Sequence, residues 1–275
     1  MPFCASVLRR TLLALLLALT AAPALACGPD SDCKVGDRIY RIRLPDGVEP
    51  GTPIGAVVFA HGYRGSAAGV MNNAQLGRAI ADLGLALIAP EAAADDWSIA
   101  NAPSHSTGAE VDEPAYFAAV VADAVARFGL DPDRVYMAGF SAGGMMTWTL
   151  ACLSGDLFAG FAPISGTFWA PLPESCPSAP VNLVHIHGTD DPVVPMAGRA
   201  IAETRQGDVA DAFGLFLEEG DFAEDGGETA GDLDCTRWTN PEDRLMELCL
   251  HPGGHRYEAD EVTYAIGVLD SLATQ

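Results

Sequence analysis

The chain has 275 residues and a formal net charge of −22 at pH 7, with 37 acidic against 15 basic side chains. Such an excess of negative charge repels phosphate backbones and anionic lipid surfaces. We therefore expect no nucleic-acid partner and no stable membrane insertion, and we interpret the acidic surface as a feature that keeps the protein in solution.

The first 26 residues have the pattern of a secretory signal peptide. A pair of arginines precedes an apolar run over Thr11–Ala22, and a small-x-small triplet ends at Ala26. The run is shorter than the about 20 apolar residues that span a bilayer, and Pro23 interrupts it. We predict cleavage after Ala26 and a secreted or periplasmic protein. Residues 27–275 have the length of one catalytic domain.

Six cysteines follow the predicted signal peptide. An even number in an oxidising compartment predicts three disulfides, although the sequence does not fix their pairing. Pairing between sequence neighbours is our working prediction, with the bonds Cys27–Cys33, Cys152–Cys176 and Cys235–Cys249. Two alternatives are disfavoured. A lipid on Cys27 would leave an odd number of cysteines, and a metal site lacks the C-x-x-C pairs typical of such sites, so we predict no metal.

Strand-like and helix-like segments alternate along the chain, which predicts a parallel sheet flanked by helices. The first half contains predicted strands at Arg38–Leu44, Ile54–Ala60, Leu85–Ala89 and Arg134–Ala138, with helices at Gly77–Leu83 and after the capping residue Asp112. The second half contains predicted helices at Ala142–Cys152, Met196–Thr204 and Asp260–Leu272, and strands at Phe158–Ile164, Val181–Ile186 and Arg244–Leu250. Residues Glu218–Asp234 are rich in glycine and acid, which predicts an exposed loop.

A G-x-S-x-G motif lies between a predicted strand and a predicted helix, at Gly139-Phe140-Ser141-Ala142-Gly143. This sharp turn needs small residues beside the serine, and it lifts the serine hydroxyl out of the sheet. It also directs the N–H of the next residue toward a substrate oxygen, where the helix N-terminus adds a partial positive charge. We predict Ser141 as the nucleophile and the Ala142 N–H as an oxyanion-hole donor.

A serine nucleophile requires a base, and in this arrangement the acid and then the histidine follow the serine along the chain. Asp190 and Asp191 both follow a predicted buried strand, and either could orient a histidine. We predict His255 as the base because it lies on a glycine-rich loop after the last strand. His185 inside a strand and His251 at a strand end are interpreted as structural.

A second candidate for oxyanion binding follows the first buried strand. The segment His61-Gly62-Tyr63-Arg64-Gly65 has an H-G-x-x-G pattern like the oxyanion loops of lipases and esterases. We predict the Tyr63 backbone N–H as the second donor and interpret His61 as a residue that orders the loop. Four aromatic residues are candidates to line an apolar pocket, although core packing is the simpler interpretation of the last: Tyr63, Trp97, Phe140 and Trp148.

Together these motifs resemble the secreted polyhydroxybutyrate depolymerase-like and feruloyl esterase-like hydrolases. The resemblance rests on His61-Gly62, on Asp131–Tyr136 leading into the serine motif, on His187–Pro195 and on Gly253-Gly254-His255. It implies an α/β-hydrolase fold with a mostly parallel central sheet flanked by helices. It also implies that the acid is the aspartate before the proline of the H-G-T-x-D-P motif, which is Asp191.

Two departures from this family leave the substrate open. No linker or polymer-binding module is evident, and the stretch between the acid and the histidine is long. We therefore predict a serine esterase that cleaves soluble carboxylic esters, such as hydroxyalkanoate oligomers or feruloyl-type aryl esters, through an acyl-enzyme and without a cofactor. A peptidase of the same fold is an alternative, but no propeller or lid domain is evident. A non-catalytic binding protein would have no need of the reactive residues.

Overall fold

The computed structural model describes Met1 and residues 27–48, 52–103, 111–178 and 180–274. The predicted signal peptide, apart from Met1, and its cleavage site at Ala26 therefore lie outside the described residues. Within the described ranges, no helix combines the length and apolar character needed to cross a membrane.

Thirteen strands and six α-helices alternate along the described chain. The strands are β1 (Cys33–Val35), β2 (Arg38–Arg43), β3 (Ala56–Ala60), β4 (Ala86–Pro90), β5 (Val135–Phe140), β6 (Gly160–Ile164), β7 (Trp169–Ala170), β8 (Leu183–Gly188), β9 (Ala200–Ile201), β10 (Thr204–Gln206), β11 (Ala223–Ala230), β12 (Leu233–Thr239) and β13 (Leu245–His251). The helices are α1 (Ala67–Asn72), α2 (Ala74–Asp82), α3 (Glu113–Phe128), α4 (Ala142–Leu153), α5 (Val209–Glu219) and α6 (Ala259–Ala273).

Ten of these strands form one sheet in the order β1-β2-β4-β3-β5-β6-β8-β13-β12-β11. The six strands from β4 to β13 pair in parallel, whereas the strands at both edges pair antiparallel. Strands β3, β4 and β6 are buried along their whole length, as expected for parallel strands covered on both faces. This is the α/β-hydrolase architecture that the sequence predicts.

The helices divide between the two faces of the sheet. Side chains of α3, α4 and α5 share one apolar core with alternate sheet residues such as Val58, and those of α1, α2 and α6 share another with Val57 and Phe59. Helix α3 begins as predicted, because the Asp112 carboxylate accepts a hydrogen bond from the Ala115 N–H at 2.9 Å.

The prediction of a helix at Met196–Thr204 is wrong. That segment forms a turn and then the short strands β9 and β10, because Gly198 and Ala202 have φ angles of 62° and 51°, which a right-handed helix does not allow. The helix of this region begins later, at Val209, where Asp208 accepts from the Ala210 N–H at 2.7 Å. Helix α1 was not predicted, and α2 begins three residues before its predicted start at Gly77.

The prediction of a loop at Glu218–Asp234 is also wrong in its secondary structure. This segment contains the end of α5 and strand β11, which pairs with β12 at the edge of the large sheet. The predicted exposure is observed, since seven of the eight residues of β11 are exposed. An edge strand can be held by backbone hydrogen bonds alone, so its sequence lacks the alternation of apolar residues that marks a half-buried strand.

The six cysteines form three disulfides between sequence neighbours, Cys27–Cys33, Cys152–Cys176 and Cys235–Cys249. Cys235 and Cys249 lie directly opposite each other in the pairing of β12 with β13. Since the six sulfur atoms are bonded in pairs, none of these cysteines is a thiolate that could bind a metal.

Candidate active site

Ser141 lies at the sharp turn between β5 and α4, with φ 58° and ψ −119°. This left-handed conformation is strained for a residue other than glycine and is held by its surroundings. A Cβ on Gly139 would lie 2.3 Å from the Gly143 carbonyl oxygen, and a Cβ on Gly143 would lie 2.0 Å from the Ala60 oxygen. Both flanking glycines of the motif are therefore required by close backbone contacts.

The structure brings Ser141, His255 and Asp191 into one hydrogen-bonded chain. His255 Nε2 lies 2.8 Å from Ser141 Oγ, and His255 Nδ1 lies 2.7 Å from Asp191 Oδ2. A carboxylate can only accept hydrogen bonds, so Nδ1 carries the proton and Nε2 is left to accept from the serine hydroxyl. This is the tautomer that a general base for serine needs.

The two adjacent aspartates occupy different environments. Asp191 is buried, and its Oδ1 accepts from the N–H groups of Val193 and Val194, both at 2.8 Å. Its other oxygen faces His255. Asp190 is exposed. The structure thus places Asp191, and not Asp190, against the histidine.

Two further histidines lie behind Asp191 in the core. His187 Nε2 is 2.7 Å from the Val194 carbonyl oxygen and 3.7 Å from Asp191 Oδ2, and His187 Nδ1 is 2.9 Å from His185 Nε2. Burial lowers the pKa of His185 well below its ordinary value, and the neighbouring His187 lowers it further. Burial also lowers the pKa of His187, against the opposing effects of Val194 and Asp191. Both rings are therefore neutral at neutral pH.

Sequence reasoning treated His187 only as the start of a motif. Two spacings could have revealed its position. Residues 185 and 187 share one face of strand β8, because side chains in a strand alternate with a period of two. The turn after β8 then brings Asp191 back over His187, which the strand prediction alone does not show.

The predicted oxyanion groups lie on both sides of Ser141. Ala142 is the first residue of α4, where helical N–H groups have no partner within the helix. The H-G-x-x-G loop passes over the serine, since a Cβ on Gly62 would lie 3.5 Å from Ser141 Cβ. Tyr63 follows, and its side chain is 44% exposed.

Buried contacts of His61 hold this loop in place. His61 Nδ1 donates to the Gly62 carbonyl oxygen at 2.9 Å, and its Nε2 accepts from the Ala92 N–H at 3.2 Å. The Trp97 indole N–H donates to the His61 carbonyl oxygen at 2.8 Å. Trp97 is buried and therefore supports the loop rather than lining a pocket.

The remaining aromatic candidates differ in their surroundings. The Phe140 ring packs against the His255 ring, with centroids 4.7 Å apart, and against the Tyr257 ring, with centroids 5.0 Å apart. Tyr63 is exposed. Trp148 is fully buried between aromatic residues of the core, as its simpler interpretation predicts.

An apolar groove of about 330 Å³ lies at the C-terminal end of α4, the end away from Ser141. Thr149, on its wall, is eight residues after Ser141, which corresponds to ~12 Å along a helix. Trp169 also lines the groove and packs against Met145 and Val194, so it joins the groove to the surroundings of Ser141 and Asp191. The other walls include Ile99, Phe168 and Leu172.

Comparisons with known proteins find hydrolases of the esterase type. A profile of the phospholipase/carboxylesterase family matches residues 108–210. NocK of Nocardia uniformis subsp. tsuyamanensis, whose name describes it as an esterase, is 29% identical over 86% of this chain and 76% of its own length. A poly(3-hydroxybutyrate) depolymerase of Ralstonia pickettii is 34% identical over 43% of this chain, and feruloyl esterase C of Emericella nidulans is 26% identical over 60%. The match covers only 27% of the depolymerase and 59% of the feruloyl esterase.

Solved structures show the same fold. The acetyl xylan esterase from Aspergillus awamori superposes with a TM-score of 0.57 at 16% identity, over 84% of this chain and 94% of that enzyme. The chain therefore has the α/β-hydrolase fold and is similar in sequence to carboxylic ester hydrolases, among them a polyhydroxybutyrate depolymerase and a feruloyl esterase.

Proposed function

We propose that the chain is a serine esterase that works through an acyl-enzyme, with Ser141 as nucleophile, His255 as base and Asp191 as the acid that orients it. One observation carries this proposal. The hydrogen bonds from Asp191 through His255 to Ser141 are 2.7 and 2.8 Å long, and they allow one tautomer of the histidine. Hydrogen bonds arranged in this way prepare the serine hydroxyl to lose its proton.

The reaction then follows from these positions. His255 Nε2 takes the proton of Ser141 Oγ as the oxygen attacks the ester carbonyl, and it returns the proton to the leaving alcohol. Water repeats the cycle and releases the acid. The N–H groups of Tyr63 and Ala142 stabilise the negative charge on the tetrahedral intermediate, and no cofactor takes part in these steps.

We assign soluble, short or aromatic esters as the substrates, including hydroxyalkanoate oligomers and feruloyl-type esters. Relatives named as a depolymerase and as a feruloyl esterase support this range. The apolar groove beside α4 supports an apolar group in the substrate. The net charge of −22 favours a dissolved enzyme over one that adsorbs to a solid polymer.

We also propose that the protein works in an oxidising compartment outside the cytoplasm. Three disulfides within the described residues support this location, because such bonds persist where thiols are not kept reduced.

The nucleophile is tested by Ser141→Ala, with Ser154→Ala at the other end of α4 as a matched control. We expect kcat of Ser141→Ala to fall roughly a million-fold and covalent labelling by a fluorophosphonate to disappear, whereas Ser154→Ala keeps both. Substantial turnover by Ser141→Ala would refute the assignment. The substrate range is tested by comparing a polyhydroxybutyrate film, its soluble oligomers and methyl ferulate. Equal rates on film and oligomers would contradict our assignment.

A further inference from the structure

The histidine pair in strand β8 has only one arrangement of protons that satisfies its hydrogen bonds. Each neutral ring carries one N–H. The Val194 carbonyl oxygen can only accept, so the proton of His187 lies on Nε2. His187 Nδ1 then has to accept from His185 Nε2–H. This leaves His185 Nδ1 bare, and that atom indeed has no partner among the described residues.

The hydrogen bonds of the histidine pair end on Val194, the residue whose N–H also binds Asp191. The Val194 carbonyl oxygen accepts from His187, and the Val194 N–H donates to Asp191 Oδ1 at 2.8 Å. Fixing the carbonyl at one end of this residue therefore limits how its N–H can turn at the other. His187 Nε2 also lies 3.7 Å from Asp191 Oδ2, which is the oxygen that faces His255.

We propose that His187, held in one tautomer by His185, is a positioning residue for the acid of this enzyme. It fixes the Val193–Val194 turn so that Asp191 keeps one oxygen for the backbone and presents the other to His255. This inference rests on the proposed function, because it assigns His187 a role through Asp191. His187 itself is buried and separated from Ser141 by Asp191 and His255.

The test compares His187→Gln with His187→Met. The two side chains have similar length and shape, but only glutamine carries an N–H at the position of Nε2 that can reach the Val194 oxygen. We expect His187→Met to lower kcat by roughly a hundredfold, the scale of a 1 Å misplacement of a reacting group, with KM unchanged. His187→Gln is expected to stay within about tenfold of the wild type, since one hydrogen bond is retained.

A structural role alone would lower the melting temperature of both variants without separating their kcat values. The low-field proton NMR resonance of the His255–Asp191 hydrogen bond gives a second readout. We expect it in the wild type and in His187→Gln and not in His187→Met. If His187→Met keeps the wild-type kcat, or if both variants lose kcat equally, the positioning role is refuted.

Two further measurements keep the inference testable and separate from the proposed function. Nitrogen-15 NMR of the wild type at neutral pH reports the tautomers directly, and we expect Nε2–H on both His185 and His187. A proton on His187 Nδ1 would overturn the inference even if a variant fails to fold. Activity of Ser141→Ala is measured in the same series. Its persistence would refute the proposed function, whereas its loss together with equal His187 variants would refute only the role of His187.

Discussion

Replacing Asp191 by asparagine should remove the base without disturbing the fold. The N–H groups of Val193 and Val194 both need an oxygen, so the new Oδ1 takes the place of the carboxylate oxygen that they bind. The amide NH₂ then faces His255 Nδ1, which has to accept from it. The histidine proton moves to Nε2, where it meets the Ser141 hydroxyl as a donor and no longer as an acceptor.

In a triad of this kind, replacing the aspartate by asparagine lowers kcat about 10⁴-fold through the wrong tautomer. This corresponds to a loss of about 5.5 kcal/mol of transition-state stabilisation, and we expect the same scale for Asp191→Asn. The assay is hydrolysis of a soluble aryl ester at saturating concentration, with the melting temperature as a check on folding. Asp190→Asn is the matched control, because this neighbour is exposed and a surface change of this kind alters stability by only about 0.5 kcal/mol, so we expect its kcat to stay close to that of the wild type. Equal losses in the two variants, or a larger loss in Asp190→Asn, would refute the assignment of the acid.

Two further predictions concern stability, and a third concerns the turn that carries Ser141. Replacing Cys152 and Cys176 by alanine opens a loop with a sequence separation of 24, which should lower the free energy of unfolding by about 3.4 kcal/mol. In calorimetry the melting temperature should fall by about 7–14 °C. An unchanged melting temperature would contradict this prediction. Burial raises the pKa of the Glu247 carboxyl above its ordinary value of 4.5, so the stability of the wild type falls as the pH rises from 4.5 through that raised pKa. Glu247→Gln lacks this titration, and we therefore expect its melting temperature to rise relative to that of the wild type over the same range. A constant difference between the two melting temperatures would contradict the shift. Gly143→Ala places a Cβ 2.0 Å from a carbonyl oxygen of β3 and should abolish fluorophosphonate labelling, whereas Gly267→Ala, in open space on α6, should keep it.

The candidate site could be predicted because its chemistry depends on local motifs. Ser141 is predicted from a strand, a turn and a helix that are contiguous in sequence, and the close contacts of Gly143 explain why the motif needs small residues. The choice between Asp190 and Asp191 could not be made from spacing. It depends on which carboxylate the turn after β8 buries, and the resemblance to known hydrolases supplied what the spacing did not.

The errors lie where backbone conformation or edge pairing overrides side-chain pattern. Met196–Thr204 has helix-forming residues, but the left-handed conformations of Gly198 and Ala202 turn it into two short strands. Strand β11 is polar because its stability comes from backbone pairing with β12 at the edge of the sheet. In both cases the deciding interactions are main-chain contacts, which the alternation of apolar residues does not report.

The strand order explains how Asp191 and His255 lie together although they are 64 positions apart in sequence. Strands β8 and β13 are direct parallel neighbours, so the loops that follow them leave the same edge of the sheet side by side. The Asp190 N–H donates to the Gly253 carbonyl oxygen at 3.1 Å, and a Cβ on Gly188 would lie 2.3 Å from that same oxygen. Strands β11 and β12 extend the sheet beyond β13, on the side away from β8. These two strands therefore enlarge the sheet on the far side of β13, and the β8–β13 pairing keeps the loops of Asp191 and His255 next to each other.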